Sequence, residues 1–74
     1  FMGKIFSDPC LKENIKIVGK SPSGINVYEY DYKNVEGRYR GVLANEVPWA
    51  SSHDKHGHLM VDYSKVDVDF MRVK

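Results

Sequence analysis

The sequence predicts a small α+β domain, mainly an antiparallel sheet of about four strands with one short helical turn. Three observations predict it. A β-branched and aromatic run places Tyr28, Tyr30 and Tyr32 at period two, glycine-bearing turns flank that run on both sides, and Pro48 cuts short the one stretch that starts like a helix.

In chain order, residues 15–18 read as a short strand. Ser21-Pro22-Ser23-Gly24 follows as a turn, since proline presets one turn dihedral and glycine accepts a positive one. The hairpin leads into the strand at residues 25–32. Lys33-Asn34-Val35-Glu36-Gly37 is a second turn, and residues 38–43 return antiparallel, with Gly41 leaving room for another backbone. Ala44-Asn45-Glu46-Val47 begins a turn of helix or 3₁₀ that Pro48 ends, because proline restricts Val47 and offers no donor. Residues 51–57 read as an exposed loop. Residues 59–63 alternate as a strand, and the apolar set then reappears out of phase at Val66, Val68 and Phe70, which requires a bulge or bend near Ser64-Lys65. No repeat or linker divides the chain, so residues 1–74 form a single domain with 1–6 as leader and 7–70 as body.

With 74 residues the core is thin, since folding at this size buries only roughly 60% of the chain's surface. Oligomerisation or docking is the expected supplement, because the lone Cys10 excludes an internal disulfide. Cys10 itself reads as a small buried apolar residue. Eleven basic and ten acidic residues are interspersed to a net charge of +1, which favours neither nucleic acid nor membrane as partner. No apolar run approaches the roughly 18 residues of a membrane span and no secretory h-region is present, so a soluble chain is expected. Met2 reads as a start with Phe1 an added residue, the alternative being a gene that begins further upstream.

The stretch that carries chemistry is Ser7-Asp8-Pro9-Cys10-Leu11-Lys12-Glu13-Asn14-Ile15, which sets a hydroxyl five residues before an amine. Serine needs a base to become a nucleophile, and lysine serves only when neutral. Working near neutral pH requires lowering the lysine pKa from about 10.4 by roughly three units, or about 4 kcal/mol, through burial or a nearby cation. Glu13 would oppose this if it lay close to the amine. The plainer reading is a serine N-cap followed by a solvated lysine.

The same stretch resembles the Ser-Asp-x-x-Leu-Lys-Glu-x-Ile signature that opens the intramolecular chaperone and autoprocessing domain of phage endosialidase tail spikes, L-shaped tail fibres and myelin regulatory factor. Two further blocks follow in order: Gly41-Val42-Leu43-Ala44-Asn45-Glu46-Val47 is similar to that family's Gly-x-x-Ala-Gln-Glu-Val, and Val61-Asp62-Tyr63-Ser64-Lys65-Val66 to its Val-Asp-Tyr-Ser-Lys-Leu. The resemblance implies a domain that assists trimerisation of a fibre and then cuts itself off at Phe6-Ser7, with Ser7 as nucleophile, Lys12 as general base and backbone N–H groups at the oxyanion. It needs no cofactor and turns over once. The implied partner is a tail-fibre or other virion protein, the implied assembly a homo-oligomer such as a trimer, and the implied location the virion or the host cytoplasm during phage assembly. The alternative is a non-enzymatic structural or adaptor protein of the virion that keeps the fold without cleavage. Two departures stand out: Cys10 occupies a position where the family usually has arginine, and residues 66–74 alternate like a strand where the family continues into a long helix.

Three further features carry plain readings. His53, His56 and His58 with Asp54 are weak metal candidates, because imidazole suits transition metals but no cysteines or second ligand pair flank them. The tyrosine row, with Arg38 and Arg40 opposite, is read as cross-strand packing in preference to a sugar- or base-stacking platform. Trp49 is read as an anchor to the core or an interface residue.

Overall fold

Seven strands are present among residues 3–74, the part of the chain described by this computed structural model: β1 (Lys4–Phe6), β2 (Lys12–Lys20), β3 (Asn26–Tyr32), β4 (Tyr39–Gly41), β5 (Ser51–His53), β6 (Leu59–Asp62) and β7 (Met71–Arg72). Met2, read as a start, lies outside the described residues, as does Phe1. All pairings are antiparallel. β1, β6 and β5 form one sheet in that order, and β2, β3, β4 and β7 form a second. The α+β class is as expected, with helix confined to 3₁₀ turns at Pro9–Leu11, Ala44–Glu46, Pro48–Ala50 and Tyr63–Lys65. Among the described residues no helix is long and apolar enough to cross a membrane.

The β2–β3 hairpin closes on the expected turn, where Gly24 takes φ +92° and its N–H donates to the Ser21 carbonyl at 2.9 Å. β2 is longer than residues 15–18 because two bulges let it continue past local irregularities, between Glu13 and Lys16 and between Ile17 and Gly19. Asn14, at φ 53°, sits in the first, a left-handed position that asparagine tolerates, and its amide donates to Asp31 Oδ2 at 2.8 Å.

Several expectations are corrected by register. Residues 4–6, assigned to a leader, form β1 and pair with Asp62, Val61 and Met60. Residues 51–53 form β5 within the segment read as a loop, because they pair with the other arm of a hairpin whose tip holds His56 and His58. The parity shift at Ser64-Lys65 is the Tyr63–Lys65 3₁₀ turn, capped by Asp62 Oδ1 accepting from Ser64 N–H at 3.0 Å. Of residues 66–74 only Met71–Arg72 is strand, while Val68 is buried in the core. Arg38 and Arg40 do not face the tyrosines. Arg40 is directly opposite Glu29, so both project to the other face, where Arg40 pairs with Glu29 at 2.8 Å and Arg38 with Asp31 at 3.1 Å. Tyr39 takes the tyrosine face instead, its ring 5.3 Å from Tyr32 and stacked 5.6 Å from Phe70, in keeping with the packing reading.

The core draws on both sheets: Val42, Ala44, Val47, Ala50, Val61, Tyr63 and Val68 are buried together, with Ile5, Val27 and Phe70 packed on them. Cys10 is exposed, not buried, on the outer side of its 3₁₀ turn. A hydrogen bond with Asp8 pushes its thiol pKa up, further from a reactive thiolate. Trp49 is largely exposed and tethers one turn to another, Nε1 donating to the Lys65 carbonyl at 3.1 Å.

Candidate active site

Ser7 directly follows β1 and Lys12 is the first residue of β2, so the Asp8-to-Leu11 turn carries the chain from one sheet to the other. Asp8, not Ser7, caps that turn: Oδ1 accepts from Cys10 N–H at 3.1 Å and Oδ2 from Leu59 N–H at 3.0 Å. Pro9 fits the first turn position, where its missing N–H is no loss. The short 3₁₀ segment then folds Lys12 back beneath Ser7.

Ser7 has no exposed surface and Lys12 only 4%. Lys12 Nζ lies 2.9 Å from Ser7 Oγ and 2.8 Å from the Val42 carbonyl, which also accepts from Ser7 Oγ at 2.8 Å. The ammonium sits 3.9 Å above the centre of the Tyr30 ring. Burial pulls the Lys12 pKa down to about 7, against the opposing charge of Asp8. Glu13, the carboxylate expected to oppose, is exposed and pairs with Asp31, so it projects to the other face of β2. Desolvation therefore lowers this pKa without a neighbouring cation at position 10, where Cys10 stands. The solvated-lysine reading does not describe this site.

The peptide in front of Ser7 is held on both sides. Ser7 N–H donates to the Leu59 carbonyl at 3.0 Å, and Tyr63 N–H donates to the Gly3 carbonyl at 3.2 Å. Because antiparallel pairs alternate, these bonds turn the Phe6 carbonyl away from β6. There it accepts from the Tyr32 hydroxyl at 2.6 Å. The donor on this carbonyl is thus a side chain, where backbone N–H groups were expected. A groove of about 500 Å³ runs along Phe6, Tyr32 and Tyr39, so the carbonyl stands at a solvent-accessible edge while the serine is dry.

Val42 is the hub, and it too is held in place: its N–H donates to the Tyr63 hydroxyl at 3.1 Å. Gly41 makes this possible, since a Cβ there would collide with the Tyr63 and Tyr30 hydroxyls, side chains where an approaching backbone was expected. Gly41→Ala is accordingly expected to cost about 1–3 kcal/mol of stability by overpacking, measurable as a lowered urea midpoint. An unchanged midpoint would show that the two tyrosines can move aside freely.

The histidines lie along the β5–β6 hairpin, His53 in β5 and His56 and His58 beyond it. Asp54 Oδ1 accepts from the N–H groups of His56 and His58 at 2.9 and 2.8 Å and so shapes the β5–β6 tip. Among the described residues no three His, Cys, Asp or Glu side chains gather as a metal site. His58 instead packs edge-on against Phe6, with ring centres 6.4 Å apart.

Ser7 and Lys12, five residues apart, were legible as a pair. The sequence marks no part in the site for Tyr30, Tyr32, Tyr63 or the Val42 carbonyl, although the tyrosine row, read as packing, and the two later motif blocks contain all four. Fold and site together define a class: a small two-sheet antiparallel domain with a buried serine–lysine pair directly behind a polarised peptide carbonyl. Comparison with protein families, with curated proteins and with solved structures finds no match for the chain.

Proposed function

We propose that this chain is a self-cleaving domain in which Ser7 attacks the Phe6 carbonyl and Lys12 takes the serine proton. The supporting observation is the 2.9 Å contact between two buried groups, Ser7 Oγ and Lys12 Nζ, with a lysine whose pKa is lowered to about 7. Neutral Lys12 accepts the hydroxyl proton as Oγ bonds to the Phe6 carbonyl carbon, closing a five-membered ring with the Ser7 backbone. The Phe6–Ser7 C–N bond then breaks, and the new ammonium returns the proton to the departing Ser7 nitrogen. The resulting ester is hydrolysed by water from the adjacent groove, leaving a Phe6 carboxylate and the regenerated serine hydroxyl.

The wider biological role rests on the three ordered motif blocks: a chaperone-type domain of a phage tail fibre or spike, acting on a fibre or other virion protein, as a homo-oligomer, in the virion or the host cytoplasm. The test is the intact mass of the chain fused behind an unrelated carrier, beside a Ser7→Ala control. Denaturing conditions are needed because the β1–β6 ladder would hold the two pieces together. The parent is expected to split at Phe6-Ser7 while the control stays whole.

Full-length product in both would instead favour a non-enzymatic virion or adaptor protein. One observation supports that second reading: the Lys12 ammonium, with two oxygen acceptors and the Tyr30 ring, is also a complete polar clamp between the two sheets.

A further inference from the structure

We infer that Tyr32 is a catalytic residue, its phenolic hydroxyl being the donor that stabilises the oxyanion formed at Phe6. The role rests on the self-cleavage reading. Lys12 and Tyr32 are directly opposite each other in the β2–β3 ladder, which places both side chains on one face. One reaches the nucleophile, at 2.9 Å from Ser7 Oγ, and the other the electrophile, at 2.6 Å from Phe6 O. A single cross-strand pair therefore serves both ends of the bond to be formed.

The hydroxyl is held ready before any charge develops. The Tyr32 ring packs edge-on against Tyr30 at 5.4 Å and Tyr39 at 5.3 Å, so its position does not depend on the hydrogen bond alone. Burial pushes its phenol pKa up, which keeps the proton on Tyr32 at neutral pH and available for donation. When Ser7 attacks, negative charge collects on Phe6 O, and a neutral donor to a carbonyl becomes a stronger donor to an alkoxide. No proton transfer from Tyr32 is needed: it donates throughout, while the proton traffic runs between Ser7 Oγ, Lys12 and the leaving nitrogen.

The experiment uses the full chain behind the carrier and compares the parent, Ser7→Ala, Tyr32→Phe and a series with fluorinated tyrosines at position 32. Tyr32→Phe keeps the ring and is expected to slow cleavage by about 10²-fold or more, the size of losing one oxyanion donor, while leaving the pH at which the rate rises unchanged. In the fluorotyrosine series the rate is expected to track phenol acidity over the pH range where the phenol stays protonated, which a purely packing role would not produce. A Tyr32→Phe rate within threefold of the parent, or fluorotyrosine rates unrelated to acidity, would overturn the role while leaving Ser–Lys cleavage standing. A parent as inert as Ser7→Ala would overturn both.

Discussion

Lys12→Met is expected to slow cleavage at Phe6-Ser7 by about 10²–10⁴-fold, the usual contribution of a positioned general base. Methionine keeps much of the length and apolar bulk beneath Tyr30 but cannot accept the Ser7 proton. The serine hydroxyl retains its 2.8 Å bond to the Val42 carbonyl, so the nucleophile stays in place without its base. In the parent, the rate should climb with pH until Lys12 is neutral, levelling off above about 7, because only the free amine accepts a proton. Quenched time courses from pH 5.5 to 9, resolved by mass, would measure both. An undiminished rate in Lys12→Met, or the same rise with pH in the variant, would remove Lys12 from the mechanism.

The second large effect is on stability, best measured in the Ser7→Ala background so that the chain stays whole. Lys12 titrates near 10.5 when unfolded and at about 7 when folded. Below about 7 both states hold the proton, and the native state bears the cost of a buried cation. Between about 7 and 10.5 the unfolded chain binds a proton that the native state has released, so stability rises with pH by about 1.4 kcal/mol per unit. Across the whole window the gain is on the order of 5 kcal/mol. Urea unfolding at pH 7 and 9 should show this rise with Lys12 and lose it with Lys12→Met, since methionine does not titrate. At pH 6 the methionine protein should be the more stable, a buried cation having been replaced by an apolar side chain of similar volume. Parallel curves for the two proteins would mean that Lys12 is not desolvated in solution, which would also weaken its assignment as a base.

Such a lysine links function to instability: the burial that lowers its pKa is unfavourable to the fold at neutral pH. Asp8 shows the same tension. Its carboxylate caps the turn and ties it to Leu59, yet its charge favours the protonated amine that the chemistry must avoid.

What the sequence by itself determined is local. The period-two tyrosine run specifies β3, Ser21-Pro22-Ser23-Gly24 its hairpin turn, and Pro48 the end of a nascent helix, because each depends on the dihedral preferences and alternation of neighbouring residues. The nearness of Ser7 and Lys12 is local too, since only an Asp-Pro turn separates them. What the tertiary structure alone decided is burial and register. The Val42 carbonyl that holds both side chains is 30 and 35 residues away along the chain from Lys12 and Ser7. The burial of Lys12 likewise depends on Tyr30 and on the seam between two sheets. The place of Tyr32 depends on two bulges. Counting back from Lys20 opposite Asn26, an unbroken ladder would set Lys12 against Asn34, and each bulge moves the pairing by one residue until Tyr32 stands there instead. Nothing in the periodicity of β3 reveals such slips, because a bulge is settled by which side chains the facing core accepts.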